Sequence, residues 1–208
     1  MRGLLIKDFY MIKDGLLIPA LTMVVFGVVL SVIGSIWVLP VIAAVSLGMQ
    51  AVLTLSMDKS SQWYKFARTL PISNAQFVAS KYVLYLLFSV MGLLLGTLIA
   101  VIASVLNGGF SLEPLLVNCC LAIVMSFLPG SVNIPCSFLF SEEKGIAGII
   151  ISLIAAAGIY VGLRTLLGHF IDLEMYMLMT HTIIAALSLV IYLLSCAICP
   201  KILRKQEL

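Results

Sequence analysis

Residues 82–106 read YVLYLLFSVMGLLLGTLIAVIASVL, an apolar stretch without one charged side chain. Similar runs recur along the 208-residue chain, in which hydrophobic residues make up 62% and charged residues 10%, with a mean hydropathy of +1.21. Soluble domains hold about 25% charged residues, so this chain has too little charge to cover a soluble globule. Runs of roughly 20 apolar residues are typical of membrane helices, whereas barrel strands are shorter and alternate in polarity. The sequence therefore predicts an all-α membrane protein.

Six such runs predict six transmembrane helices in a single membrane domain that covers residues 1–208. The predicted spans are about 16–35, 38–57, 82–106, 114–140, 145–168 and 177–199. At about 1.5 Å per residue, the first of them covers about 30 Å, the thickness of the hydrocarbon core of a bilayer. The first run lacks the small-residue cleavage site of a signal peptide and further spans follow it, so we interpret it as a membrane helix.

The positive charges predict the orientation of these spans. If both termini, the connection at 58–81 and the turn at 141–144 share one side of the membrane, that side holds all but one of the 12 Lys and Arg residues. These are Arg2, Lys7, Lys13, Lys59, Lys65, Arg68, Lys81, Lys144, Lys201, Arg204 and Lys205, and the other side has only Arg164. Lys and Arg concentrate in cytoplasmic loops, so we expect both termini to be cytoplasmic in a protein of the plasma membrane.

One connection is longer and more polar than the others. Residues 58–81 lie between the second and third spans, and together with Tyr82 they read DKSSQWYKFARTLPISNAQFVASKY. After a candidate N-cap at Ser60 or Ser61, apolar residues recur at helical spacing. They are Trp63, Phe66, Ala67 and Leu70. The pattern predicts a short amphipathic helix on the cytoplasmic side.

A second helix is predicted to follow the amphipathic one. Pro71 ends the first helix, because the residue before a proline leaves the helical region. The residues from Ser73 to Gln76 have the form of a capping box, and they begin a helix that runs through Lys81 into the third span. Trp, Lys and Arg are common anchors at membrane interfaces, but a plain anchor needs no excursion of this length. The length favours docking of a cytoplasmic partner over anchoring.

The N-terminal residues, MRGLLIKDFYMIKDG, show a second amphipathic pattern. One helical face carries Leu5, Phe9, Ile12 and Leu16. The opposite face carries Lys7, Tyr10 and Asp14. We predict an interfacial helix that lies on the membrane lipid of the cytoplasmic surface; the alternative is a frayed extension of the first span.

Proline and glycine residues mark two features inside the spans. Pro129 and Pro135 predict a broken segment in the fourth span, because each proline removes a helical hydrogen bond. Such a segment faces protein or water rather than lipid, and it is a candidate hinge, with a static kink as the alternative. The pairs Gly92/Gly96 and Gly158/Gly162 predict close helix packing within one subunit.

The sequence offers little chemistry of its own. The spans hold no row of carboxylates or histidines for a proton relay, which favours an external source of energy and an apolar or amphipathic cargo. There is no G-x-x-x-x-G-K-[ST] phosphate loop, so the chain is not expected to hydrolyse ATP. We interpret the five cysteines as packed free thiols, and we expect no metal, no cofactor in this chain and no nucleic-acid partner.

Two stretches resemble a known family. The pattern WYKFARTLPIS…SKY between Trp63 and Tyr82, and the opening LLIKDFYMIKDG at 4–15, are similar to the permease subunits of ABC-2 type transporters. Among these, the small permeases of the phenol-soluble modulin exporter kind are similar in size and pattern. The resemblance covers the whole six-span layout, and its most specific part lies between Trp63 and Tyr82.

The resemblance implies a permease that pairs with a second permease copy, identical or different, and with cytoplasmic ATPase subunits that bind ATP and Mg²⁺. A coupling helix at 61–70 would dock on the ATPase, braced by the N-terminal helix. The implied coupling residues are Trp63, Tyr64, Lys65, Phe66, Arg68 and Leu70. The implied cargo is an amphipathic peptide or other amphipathic molecule moved outward. The alternative is a non-transporting membrane scaffold or sensor that binds a cytoplasmic protein through the same connection.

Overall fold

The computed structural model describes residues 2–63, 73–139, 145–169 and 176–206. Within these ranges the chain is helical and contains no strand, which confirms the all-α prediction. The helices are α1 (Arg2–Ile12), α2 (Leu17–Ile33), α3 (Leu39–Ser60), α4 (Asn74–Leu106), α5 (Leu112–Leu139), α6 (Gly145–Gly168) and α7 (Met177–Gln206). Short 3-10 turns at Lys13–Gly15 and Ile36–Val38 join α1 to α2 and α2 to α3.

The helices from α3 to α7 are each long and apolar enough to cross a membrane. The predicted first span corresponds to α2, which has 17 residues. Together α1 and α2 pass the same test, with a bend of 61° between them, so the described chain has six spans when this bent pair counts as one. Gly34 ends α2 in the left-handed conformation, at φ 79°, a backbone shape that glycine adopts without steric cost.

The polar connection begins and ends inside helices. The capping-box prediction is confirmed, since the Ser73 hydroxyl accepts from the Gln76 backbone N–H at 3.2 Å and the Gln76 side chain accepts from the Ser73 N–H at 3.4 Å. The helix that Ser60 or Ser61 is predicted to cap lies mostly outside the described residues, so the N-cap stays a prediction. Here α3 continues to Ser60, and both hydroxyls donate back to the Met57 carbonyl, at 3.1 and 2.7 Å.

Close packing of α3 on α4 forms one half of the core. A Cβ on Gly92 would collide with the Ala43 carbonyl group, and one on Gly96 would lie 2.8 Å from Pro40 Cα. This confirms the packing predicted for that pair of glycines. For Gly158 and Gly162 on α6, an added Cβ would have no atom of the described chain within 4 Å beyond the backbone of its own helix, so the predicted contact inside the subunit is not observed there.

The other half of the core is built around α5, which packs on α3, α6 and α7. The break predicted at Pro129 and Pro135 is wrong, because α5 is a single helix that contains both prolines. Pro129 and the residues from Gly130 to Ile134 are mostly buried, so this part of the helix faces protein, as the sequence predicts for a proline-containing segment.

Candidate functional site

Four charged side chains meet where the polar connection leaves α3 and rejoins α4. Lys7 and Asp8 lie on α1, Asp58 lies in the last turn of α3, and Lys81 lies near the start of α4. Asp8, Asp58 and Lys81 are only 1%, 3% and 2% exposed. These four residues are termed the charge cluster below.

Each cation of the charge cluster contacts both carboxylates. Lys81 Nζ donates to Asp8 Oδ2 at 2.7 Å and to Asp58 Oδ2 at 2.5 Å. Lys7 Nζ pairs with Asp58 Oδ1 and lies 3.3 Å from Asp8 Oδ1. Two positive and two negative side chains therefore alternate, and the group is formally neutral. A buried charge is tolerated when it is paired and hydrogen-bonded in this way.

From the sequence, Asp58 and Lys81 belong to the polar connection, with Lys81 in the predicted helix that leads into the third span. In the structure both are buried within helices, and Thr54 Oγ1 of α3 lies 3.4 Å from Lys81 Nζ as a further polar contact. The chain thus buries more charge than its sequence predicts. One feature of the sequence does point to this pairing. The second apolar run is followed directly by Asp58, and the third is preceded directly by Lys81, a charge of the opposite sign.

Trp63, at the start of the polar connection, lies over the charge cluster. Lys7 Nζ is 4.5 Å from the centre of its ring, within the range of a cation–π contact. The indole also packs with Leu4 of α1 and Phe77 of α4, and Phe77 meets Phe138 of α5 edge-on at 6.2 Å. Trp63 therefore joins the connection to α1 and α4 and, through Phe77, to α5.

Of the six predicted coupling residues, only Trp63 belongs to the described part of the chain. The other five, Tyr64, Lys65, Phe66, Arg68 and Leu70, lie outside the described residues, as does Pro71.

The N-terminal helix α1 packs on α3 and α4. Its buried positions are Leu4, Asp8 and Ile12, whereas Phe9 is 47% exposed and stacks on Phe88 at 6.5 Å. Leu5 is partly buried against the core. Lys7 lies opposite Phe9 on the helix, as predicted, and its pairing with Asp58 places positions 7 and 8 against the protein. Contact of the Phe9 face with membrane lipid stays a prediction.

The residue after Lys81 begins a second set of buried polar contacts. Tyr82 OH lies 2.7 Å from Ser195 Oγ of α7, and Ser195 Oγ donates to the Ser131 carbonyl of α5 at 2.6 Å. Ser131 is four residues before Pro135, which has no N–H to offer that carbonyl. The serine of α7 replaces the missing donor, which explains how α5 remains continuous through Pro135.

Tyr85 lies one turn further along α4 and contacts α5 near its other proline. Its hydroxyl donates to the Ser126 carbonyl at 2.6 Å, and a Cβ on Gly130 would lie 2.6 Å from its ring. Tyr192 of α7 donates to the Tyr82 carbonyl at 2.7 Å. The proline segment of α5 is therefore held by hydroxyl groups from α4 and α7.

A family model for ABC-2 family transporter proteins matches residues 3–204. The chain belongs to the ABC-2 transporter family. The match spans all seven helices, the charge cluster and the proline segment, and it identifies the chain as a multi-pass membrane component of a transporter. No curated protein and no solved structure matches this ABC-2 transporter chain. Its likeness to phenol-soluble modulin exporter permeases rests on the sequence pattern alone.

Proposed function

We propose that this chain is the permease subunit of an ATP-driven exporter in which the 58–81 connection receives movement from a separate ATPase. The charge cluster passes this movement to the spans. The supporting observation is that the two ends of the connection, Asp58 and Lys81, are joined to each other and to α1 by buried ion pairs.

Buried ion pairs suit the transmission of force because they resist separation. Removing one partner of such a pair leaves an unpaired buried charge and costs about 3–5 kcal/mol. Apolar side chains, in contrast, can slide past one another at small cost. The end of α3, the start of α4 and the whole of α1 therefore move together when the connection is pushed.

From the charge cluster, the movement has a short path into the membrane-spanning core. Lys81 and Tyr82 are successive residues of α4, and Tyr82 contacts Ser195, which in turn contacts Ser131. A shift of the start of α4 would thus reach α7 and the proline segment of α5. Physical adjacency supports such a path, and measured coupling between the residues is its proper test.

The remaining parts of the proposal follow from the family and the charge pattern. The ATPase binds ATP and Mg²⁺ in a separate polypeptide, and a second permease copy completes the transporter. Both termini and the connection face the cytoplasm of a plasma-membrane protein. The cargo is an amphipathic peptide or a similar amphipathic molecule that moves outward, in keeping with the apolar composition of the spans.

The experiment is co-purification followed by reconstitution in vesicles. The permease should bring down an ATPase, and a candidate amphipathic peptide should stimulate ATP hydrolysis and accumulate across the membrane. Changing Trp63 and Phe66 to Ala should abolish transport while hydrolysis continues. The matched control is Trp37→Ala, because Trp37 lies at the opposite end of α3, where it packs against Phe110 at 6.1 Å.

Two results would overturn the proposal. Undiminished export by the Trp63/Phe66 variant would show that the connection does not couple the two subunits. Recovery of a cytoplasmic protein without ATPase activity would favour a scaffold or sensor.

A further inference from the structure

An open groove lies between α1 and the exposed face of α4. Ile6, Phe9 and Tyr10 contribute to one wall and Leu87, Phe88 and Met91 to the other, and the groove has a volume of about 580 Å³. This is within the range of about 300–1,000 Å³ found for small-molecule sites. Most of these side chains remain exposed, with Ile6 at 57% and Met91 at 47%. The stacked rings of Phe9 and Phe88 hold the walls together.

The lining of the groove favours a hydrocarbon chain. Among the side chains that line it, only Tyr10 carries a polar atom. An extended peptide would leave backbone N–H and C=O groups without partners on such a surface, at a cost of several kcal/mol for each group in an apolar environment. An acyl chain has no polar groups to satisfy, and it gains favourable packing against the Phe and Met side chains.

The charge at one end of the groove favours an anionic headgroup. Lys13, just beyond the last turn of α1, is exposed, and its Nζ lies 5.0 Å from the centre of the Tyr10 ring. Lys7, in contrast, is engaged by the two carboxylates of the charge cluster. An ammonium group and a phenol hydroxyl at the end of an apolar groove can both donate to a phosphate.

We propose that this groove binds an anionic phospholipid of the cytoplasmic leaflet, with an acyl chain between α1 and α4 and the phosphate at Lys13 and Tyr10. The proposal shares with the proposed function only the placement of α1 on the cytoplasmic side. One face of α1 contacts the charge cluster and the other lines the groove. The bound lipid therefore stabilises α1 in the position in which Asp8 pairs with Lys81, which makes this contact sensitive to the lipid composition of the membrane.

The test uses the purified permease alone, so that its outcome does not depend on an ATPase or a cargo. The protein is extracted from vesicles that contain phosphatidylcholine with a minor fraction of phosphatidylglycerol, and retained lipid is identified by native mass spectrometry. We expect selective retention of one phosphatidylglycerol. Lys13→Gln should weaken retention about fivefold, since one basic residue contributes about 1 kcal/mol to binding of an anionic lipid surface.

A second variant tests the acyl chain separately from the headgroup. Met91→Trp should fill the groove and abolish retention, whereas Leu98→Trp, at another exposed position of the same helix, should leave it unchanged. Lys201→Gln, at an exposed position near the end of α7, controls for general loss of positive charge. Size-exclusion chromatography and circular dichroism establish that each variant is folded.

Three results would overturn the inference. The first is equal retention of phosphatidylcholine and phosphatidylglycerol by the unchanged protein. The second is unaltered retention in both Lys13→Gln and Met91→Trp. The third is occupation of the groove by a second copy of the chain instead of lipid. It would be detected as a disulfide crosslink between two copies of a Met91→Cys variant.

Discussion

Lys81 Nζ lies 2.7 Å from Asp8 Oδ2, a contact between helices α4 and α1 across 73 positions of sequence. Both side chains are almost completely buried. The pair fixes the N-terminal helix to the start of the third predicted span, and with Asp58 and Lys7 it closes the charge cluster. The stability and the coupling of the protein should both depend on this group.

Replacing Lys81 with Met should destabilise the protein by about 3–5 kcal/mol, because Asp8 and Asp58 would then share one lysine in a buried site. The double variant Asp8→Asn with Lys81→Met removes one charge of each sign. It should be less destabilised than the sum of the two single variants, with a coupling energy of about 0.5–3 kcal/mol. Thermal unfolding in detergent is measured for the unchanged protein, the two single variants and the double variant. If the losses of stability in the two single variants add up to the loss in the double variant, Asp8 and Lys81 have no net interaction.

The two glycine pairs should respond differently to the same substitution. Gly92→Val places a side chain against the backbone of Ala43, where the close contact leaves no room for it, so α3 and α4 must separate. We expect the variant to lose its folded state or to unfold at a much lower temperature. A Cβ added at Gly158 meets no atom within 4 Å in the described chain beyond its own helix backbone, so Gly158→Val should retain the stability of the unchanged monomer. Equal destabilisation of both variants would contradict the packing of α3 on α4.

Several parts of this fold could be predicted because their causes are local. The apolar runs mark the spans, and the capping box between Ser73 and Gln76 needs only residues three apart. The charge cluster could not be predicted, because it pairs positions 8, 58 and 81, and a single sequence gives no information on which distant charges meet. The continuity of α5 was missed for the same reason: the donor that replaces the N–H missing at Pro135 comes from Ser195, 64 positions from Ser131.

Ser195→Ala should weaken the support of α5. The change removes the hydroxyl that donates to the Ser131 carbonyl and leaves Tyr82 OH without its nearest contact. We expect a loss of about 1 kcal/mol, typical of a hydrogen bond between membrane helices. Thr97→Ala is the control, since the Thr97 hydroxyl donates to Leu94 within its own helix. If unfolding shows no difference between the two variants, another group supports the proline segment.

Lys7 links Trp63 to the carboxylates of the charge cluster, through the ring contact at 4.5 Å on one side and the ion pairs on the other. Because Lys7 is 23% exposed, its loss should be tolerated better than the loss of Lys81. Lys7→Ala should leave basal ATP hydrolysis of the reconstituted transporter intact and reduce the transport obtained per ATP.

The transport obtained per ATP also shows whether Lys7 has a coupling role or a purely structural one. If Lys7 and Trp63 act in one path, the double variant Lys7→Ala with Trp63→Ala should transport no less per ATP than the worse of the two single variants. Lys7→Arg keeps a cation over the indole ring and should restore most of the transport. Independent, multiplicative losses in the double variant would place the two residues in separate paths, and the movement of the connection would then reach the spans without passing through α1.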